Sequence, residues 1–218
     1  MKQKVLVGMS GGVDSSVCAV LLKNQGFYVG GVTLNLKDSF DTDNIKDAKK
    51  VCEKLGMEHF SVELKEDFKQ KVIDDFIKEY IEGRTPNPCI VCNKHIKFGK
   101  MLDIAKEHGY TKIATGHYAQ IKQREDGRYL LCKAEDKSKD QTYVLYCLTQ
   151  EQLARVEFPL GSITKADARE IAEKENLINA RKKDSQDICF VPDGDYANLI
   201  KKTAGFISQT GDYLNING

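Results

Sequence analysis

Short apolar runs alternate with amphipathic stretches from the N-terminus to Thr115, and this alternation restricts the fold more than any other feature of the chain. Lys4 to Gly8 (KVLVG), Phe27 to Leu36, His59 to Leu64 and Lys112 to Thr115 have the length and aliphatic content of buried strands. Between them lie four helical patterns. The first runs from Ser15 to Gln25, with Val17, Val20 and Leu21 on one face and Gly26 as its stop. Asp43 caps the second, whose stripe is Ile45, Ala48, Val51, Cys52 and Leu55, and Gly56 ends it. The third covers Glu66 to Ile81 through Phe68, Val72, Phe76 and Tyr80, and the fourth runs from about Lys94 to His108 before Gly109. Such alternation predicts parallel strands with right-handed crossovers: an α/β, Rossmann-like sheet with helices on both faces. Ligands of such sheets sit at the carboxyl ends of the strands, near the switch point. The loop after the first strand is therefore the first place to look.

The remaining chain reads in smaller pieces. Gly83 to Asn93 (GRTPNPCIVCN) breaks the pattern with two prolines. Ala119 to Lys122 and Tyr129 to Lys133 flank Asp126–Gly127, a hairpin turn signal. Thr149-x-x-Gln152 and Thr164-x-x-Asp167 mark the starts of two further helices.

At 218 residues and 41% hydrophobic content, the chain is long enough for one domain with a full core. No apolar run approaches the ~20 residues needed to cross a bilayer. The opening MKQKVLVGMS enters a strand pattern without the features of a signal peptide, so a cytosolic location is expected. In that reducing setting the seven cysteines, an odd number, do not suggest a disulfide framework. Cys18 and Cys52 fall on apolar helix faces and Cys132 and Cys147 in apolar runs, so these four read as small core hydrophobes. Cys89, Cys92 and Cys189 stand beside turn or polar residues instead. The net charge of +1 does not announce nucleic acid. Local clusters exist at Lys94, Lys97 and Lys100, at Lys133, Lys137 and Lys139, and at Arg181, Lys182 and Lys183, each by default a solvated face.

The loop after the first strand is GMSGGVDSS, Gly8 to Ser16. Its adjacent glycines let the backbone approach a polyanion. Their N–H groups, the hydroxyls of Ser10, Ser15 and Ser16, and the N-terminus of the next helix all favour phosphate. Asp14 would repel a bare phosphate, and makes sense with a magnesium ion between it and a pyrophosphate. The loop is neither GxxxxGK[ST], since no lysine follows the glycines, nor GxGxxG. No GxGxG loop for S-adenosylmethionine is found in the chain.

SGGVDSS resembles the signature of the PP-loop ATP pyrophosphatases, whose fold is of the adenine nucleotide alpha hydrolase type. The resemblance implies that Gly8, Met9, Ser10, Gly11, Gly12, Val13, Asp14 and Ser15 hold the phosphates of ATP. It also implies cleavage between the α and β phosphates, giving AMP and pyrophosphate. The loop alone does not choose among the members of that superfamily. Four further stretches narrow the choice: GRTPNPCIVCNKHIKFG, ATGHYA, KDQTYVLY and DSQDICFVP. In this order they resemble the bacterial and mitochondrial tRNA-specific 2-thiouridylases, and the likeness covers the whole chain.

That resemblance implies a reaction on the wobble uridine of a tRNA anticodon. O2 is adenylated, and sulfur then arrives from a cysteine persulfide charged by a cysteine desulfurase or a sulfur-relay protein. By motif match Cys189 carries the persulfide and Cys92 is its partner. A thiol must become a thiolate to act, and cations or a helix N-terminus favour this. Cys92 is expected just before a helix opening at Asn93–Lys94, and Cys189 a few residues after Arg181, Lys182 and Lys183. On alternation alone, ICFV also reads as a short strand burying Cys189. Leu34 and Gly116 match backbone contacts to adenosine. Asn87, Pro88 and Cys89 match the segment at the target base. His117 and the loop Lys139, Asp140 and Gln141 match tRNA contacts, although His117 could equally cap the strand end.

In domain terms residues 1–205 are expected to be the catalytic domain, and 206–218 the start of a β domain that the resembled family carries beyond this point. Many relatives have Asp where this chain has Cys89. Cys89, Cys92 and Cys189 could therefore hold a [4Fe-4S] cluster as an alternative route to thiolation. Two other readings remain open: an amidotransferase such as GMP synthetase, which leaves these cysteines idle, and a nucleotide-sensing module without a reactive thiol.

Overall fold

The computed structural model describes residues 2–37, 42–182, 188–191 and 193–205. The segment 206–218, Lys183, the DSQD of the fourth motif and Pro192 lie outside the described residues.

The parallel sheet predicted from the alternation is present. Strands β1 (Lys4–Gly8), β2 (Tyr28–Asn35), β3 (His59–Glu63) and β4 (Lys112–Ala114) are joined by a two-residue strand outside the predicted set. Its residues are Val156–Glu157, and it is β7 in chain order after the hairpin β5 (Gln120–Gln123) and β6 (Tyr129–Cys132). The sheet order is β3-β2-β1-β4-β7, and all its pairs are parallel. Val5 stands opposite both Val29 and Lys112, so β1 is central and the chain reverses its winding direction between β1 and β4.

Side chains alternate across β1, as strand geometry requires. Val5 and Val7 point into one core, with α1 (Val13–Asn24), α2 (Thr42–Lys54) and α6 (Lys165–Lys174). Leu6 points into the other, with α3 (65–81) and α4 (88–107), where Phe68, Val72, Ile96, Phe98 and Met101 are almost completely buried. Both α3 and α4 contain wider π-type turns, at Lys69–Ile73 and Asn93–Lys100. Two short helices complete the described chain, α5 (Gln150–Ala154) and α7 (Tyr196–Ala204). Thr149 and Thr164 each form a full capping box, with Gln152 and Asp167. No helix among the described residues is long and apolar enough to cross a membrane.

Two sequence expectations need correction. The helix expected from about Lys94 begins six residues earlier, at Pro88. Proline loses nothing at the first helical position, where its missing N–H would have no partner, and Asn87 caps the helix by accepting the Cys89 N–H at 3.1 Å. The second proline of GRTPNP thus starts a helix. Cys18 and Cys52 are fully buried, but Cys132 and Cys147 are only half-buried. Cys132 lies on a two-stranded hairpin with too few strands to enclose it, and Cys147 borders a surface cleft between α3 and α4.

Candidate nucleotide and thiol site

The loop from Gly8 to Gly12 leaves β1 at its carboxyl end, beside the β1/β4 switch point, and feeds α1. Its backbone is fixed locally. Gly12 O accepts hydrogen bonds from the Ser15 and Ser16 hydroxyls, both at 3.0 Å, and Ser15 Oγ accepts the Ser10 N–H at 3.3 Å. Gly11 takes φ +75°, and a Cβ there would stand 2.4 Å from the Asn44 carbonyl oxygen. Gly116, just beyond β4, meets the start of α1 so closely that a Cβ would be 2.9 Å from the Ser15 nitrogen. These glycines let two loops and a helix N-terminus converge where an anion is favoured.

Charge reaches this point from distant segments. Lys165 Nζ binds both oxygens of Asp14, at 2.7 and 2.8 Å, and Tyr118 donates its hydroxyl to the same carboxylate at 3.1 Å. Asn179 donates to Gly11 O at 3.0 Å and to Ser16 Oγ at 2.9 Å. Lys182 Nζ reaches Gly11 O at 3.3 Å and Asp47 at 2.8 Å. Lys182 was grouped with a solvated cluster in the sequence; it turns inward, while its neighbour Arg181 stays outside with Glu173.

The three singled-out thiols lie together. Cys92 is buried on the inner face of α4, and burial pushes its thiol up to about 11. Lys97 pulls it back down, and the charge of either neighbour, Cys189 or Cys89, would raise it further. Desolvation by the protein around its sulfur raises the Cys189 thiol as well, although the residue lies at the surface, and Lys37 and Lys97 oppose it. Cys189 sits in an exposed turn rather than on a strand, with its carbonyl held by the Lys37 ammonium and the next residue, Phe190, packed edge-on to Phe76 at 5.3 Å. Cys92 is the fifth residue of its helix and not the residue before it, so the expected helix N-terminus does not activate its thiol. Among the described residues, no group of three Cys, His, Asp or Glu side chains is placed to hold a metal ion.

A reactivity order follows. Iodoacetamide at pH 8 should label exposed Cys89 before buried Cys92. Labelling of Cys92 should rise about tenfold per pH unit from pH 7 to 10, because only the thiolate reacts. Peptide mass spectrometry checks both; a Cys92 rate that levels off below pH 9 would show a thiol already activated at rest.

The other residues suggested by the resemblance are placed as follows. Asn87 and buried Pro88 shape the start of α4, and Cys89 is exposed. Leu34 is half-buried near the end of β2. The His117 ring is not a surface group: it is buried beside Phe98 and Phe158, and bonded to Thr115 Oγ1 at 2.7 Å. Burial and Lys97 hold it well below the usual imidazole range, so it is neutral at pH 7. Asp140 accepts the Ala134 N–H at 2.8 Å and the Thr142 hydroxyl, and Gln141 accepts the Tyr118 N–H at 3.0 Å. These two side chains brace the 133–142 loop from within.

A family model described as the tRNA methyl transferase HUP domain matches residues 3–193. The chain belongs to that family. Among curated relatives of this HUP domain, the tRNA-specific 2-thiouridylase MnmA of Treponema denticola is 52% identical over 99% of the chain and 61% of its own length. Those of Carboxydothermus hydrogenoformans and Clostridioides difficile are 46% and 48% identical, each over 100% of the chain and 63% of the relative. The chain thus spans less than two-thirds of the length of these relatives. Among solved structures, a 4-thiouridine synthetase–RNA complex with bound ATP aligns with TM-score 0.60 at 16% identity, covering 92% of this chain and 50% of that one. The U34-tRNA thiolase NcsA from Methanococcus maripaludis, with its [4Fe-4S] cluster, aligns with TM-score 0.55 at 21% identity, covering 92% and 66%. At such identities the structures establish a shared fold.

Within the HUP domain the sequence reading missed Lys165, Asn179, Lys182, Tyr118 and Lys97. The one available signal was the capping box at Thr164, which placed Lys165 on the first helical turn. Nothing in the spacing says that this turn faces a loop 151 residues away.

Proposed function

We propose that this chain is the ATP-using catalytic portion of a tRNA 2-thiouridylase acting on the wobble uridine. The observation that carries the reading is the pairing of a lysine-supplied phosphate loop with a cluster of cysteines around Lys97, on one HUP-domain fold. ATP lies with its phosphates over Ser10 to Ser15 and its adenosine toward Leu34 and Gly116. Asp14 is the oxygen ligand suited to magnesium, which would offset phosphate charge when bound.

In this reading the uridine O2 attacks the α phosphorus, the bond to the bridging oxygen breaks, and pyrophosphate leaves with its electron pair. The terminal sulfur of a Cys189 persulfide then attacks C2. The Cys92 thiolate attacks the Cys189 sulfur, and the S–S bond breaks toward the sulfur now on C2. C2=S forms as AMP departs, and the Cys92–Cys189 disulfide awaits two electrons from a thiol reductant. Burial of Cys92 suits this order, because a thiol raised to about 11 is inert until the reaction brings a base or opens the site. Asn87, Pro88 and Cys89 stand beside the target base, and Lys139 meets the tRNA backbone.

The test is incubation with tRNA, ATP, magnesium and a persulfide donor such as a charged cysteine desulfurase. The expected products are AMP, pyrophosphate and a uridine heavier by the mass difference between sulfur and oxygen. ADP and phosphate would sink the assignment. A [4Fe-4S] cluster on Cys89, Cys92 and Cys189 is the alternative route, although these side chains are not placed to hold a metal ion as they stand; anaerobic iron uptake lost in Cys89→Ser, with thiolation from free sulfide, would favour it.

A further inference from the structure

We propose that Asn93 is a positioning residue: its buried amide ties the segment on which the RNA is read, 139–146, to the helix that carries Cys92, so that the uridine and the thiols meet in register. The inference rests on the tRNA reading above.

Asn93 follows Cys92 directly and opens the π-type turn of α4, a widening that proteins often keep at functional sites. The residue is completely buried, and Nδ2 donates to the Val144 carbonyl oxygen at 2.8 Å. A carbonyl only accepts, so this contact fixes which way the amide points. Oδ1 is buried with no hydrogen-bond partner among the described residues. The amide thus gains one bond and forfeits another, and an orphaned buried acceptor costs about 1–3 kcal/mol. Leucine, with the same branched shape, would carry no such cost. Stability alone does not select an amide here; a fixed distance between two chain segments does.

Val144 ends a short 3-10 turn, Thr142–Val144, and shares a core with Cys92 and Ile96. Val144 and Leu145 are buried, while the rings on either side of them, Tyr143 and Tyr146, are 63% and 69% exposed. Unstacked bases pack on exposed aromatic faces of this kind. Lys139 to Gln141, which the tRNA reading assigns to RNA contact, come just before them. A turn of three residues does not hold such a segment rigid by itself. It is stitched to α4 instead, by Asn93 at Val144, by Cys147 Sγ on the Ile90 carbonyl at 3.8 Å, and by Gln152 Nε2 on the Phe98 carbonyl at 2.8 Å. Asn93 makes the stitch that falls between the two tyrosines, and it stands one residue from the thiol. A misplacement of about 1 Å between reacting groups can cost about 100-fold in rate.

The test tethers an electrophile to the RNA. An anticodon stem-loop with a chloroacetamide on the wobble base should alkylate Cys92 faster than free chloroacetamide does at the same pH, and the ratio of the two rate constants measures register. Asn93→Leu keeps the branched shape and removes the bond. It should lower that ratio about 10- to 100-fold and leave ATP affinity within about twofold. In turnover it should lower kcat while raising KM for the tRNA by less than about threefold. Asn93→Ala, which cannot overpack the core, should act in the same direction. If the parent shows no advantage for the tethered reagent, or the variants keep it in full, the proposal is wrong. If stability, ATP affinity and the ratio fall together in both variants, Asn93 only supports the fold and the proposal is wrong as well. A parent chain that binds no stem-loop overturns the tRNA reading instead.

Discussion

On the proposed reaction, replacing Cys189 by serine should lower tRNA thiolation by about a thousandfold or more, as removal of a nucleophile does, while ATP affinity changes by less than about twofold. The two effects separate because Cys189 neighbours Lys37, Lys97 and Cys89, whereas the phosphate loop is held by Lys165, Asn179 and Lys182. A hydroxyl keeps the volume and the turn, so Phe190 should stay packed on Phe76. Mass spectrometry of the product uridine, with nucleotide titration of the same sample, reads both numbers. Thiolation persisting at near-parent rate would remove Cys189 as the carrier. Cys92→Ser should be as severe in turnover but should still allow a persulfide to form on Cys189.

Gly11→Ala should have the second largest effect, acting on the fold as well as on the ligand. The new Cβ would meet the Asn44 backbone carbonyl oxygen at 2.4 Å, so α2 or the loop must move. The residue must also adopt φ +75°, which a side chain disfavours by about 1–2 kcal/mol. Together with overpacking of about 1–3 kcal/mol, the loss should be roughly 2–5 kcal/mol, visible in denaturant unfolding. Pyrophosphate binding should fall more steeply still, since Asn179 and Lys182 both grip the Gly11 carbonyl. An alanine variant with parent stability and affinity would mean that α2 yields freely here.

The sheet and the glycine loop that follows β1 were legible because they depend on local facts. Four apolar runs, their glycine stops and SGGVDSS need no tertiary knowledge, and the alternation of Val5, Leu6 and Val7 between two cores repeats the strand period. The start of α4 was misread for a local reason as well: Asn87–Pro88 was taken as a break, although cap chemistry makes it a helix start. The strand Val156–Glu157 was out of reach, since two residues carry no period.

The site was legible only in part. Cys89, Cys92 and Cys189 stood out by their polar neighbours, but the burial of Cys92 depends on which face of α4 meets the sheet. His117, Asp140 and Gln141 look like exposed polar residues in sequence, and each is turned inward by a partner that the fold supplies: Thr115, Ala134 or Tyr118. Lys165 and Lys182 were indistinguishable from the many other lysines and arginines of the chain. Their meaning comes from contacts spanning 151 and 171 residues.

Those spans set the order of assembly during synthesis. The glycine loop is made well before the groups that lock it, Lys165, Asn179 and Lys182, which follow it by more than 150 residues. Contacts of such separation form late, because closing the intervening chain costs entropy before it is repaid. A nascent chain stopped before about residue 165 would hold strands β1 to β4 yet leave Asp14 uncompensated and Gly11 unclamped. The clamp on the glycine loop therefore closes in one late step, when Lys165, Asn179 and Lys182 fold back over it.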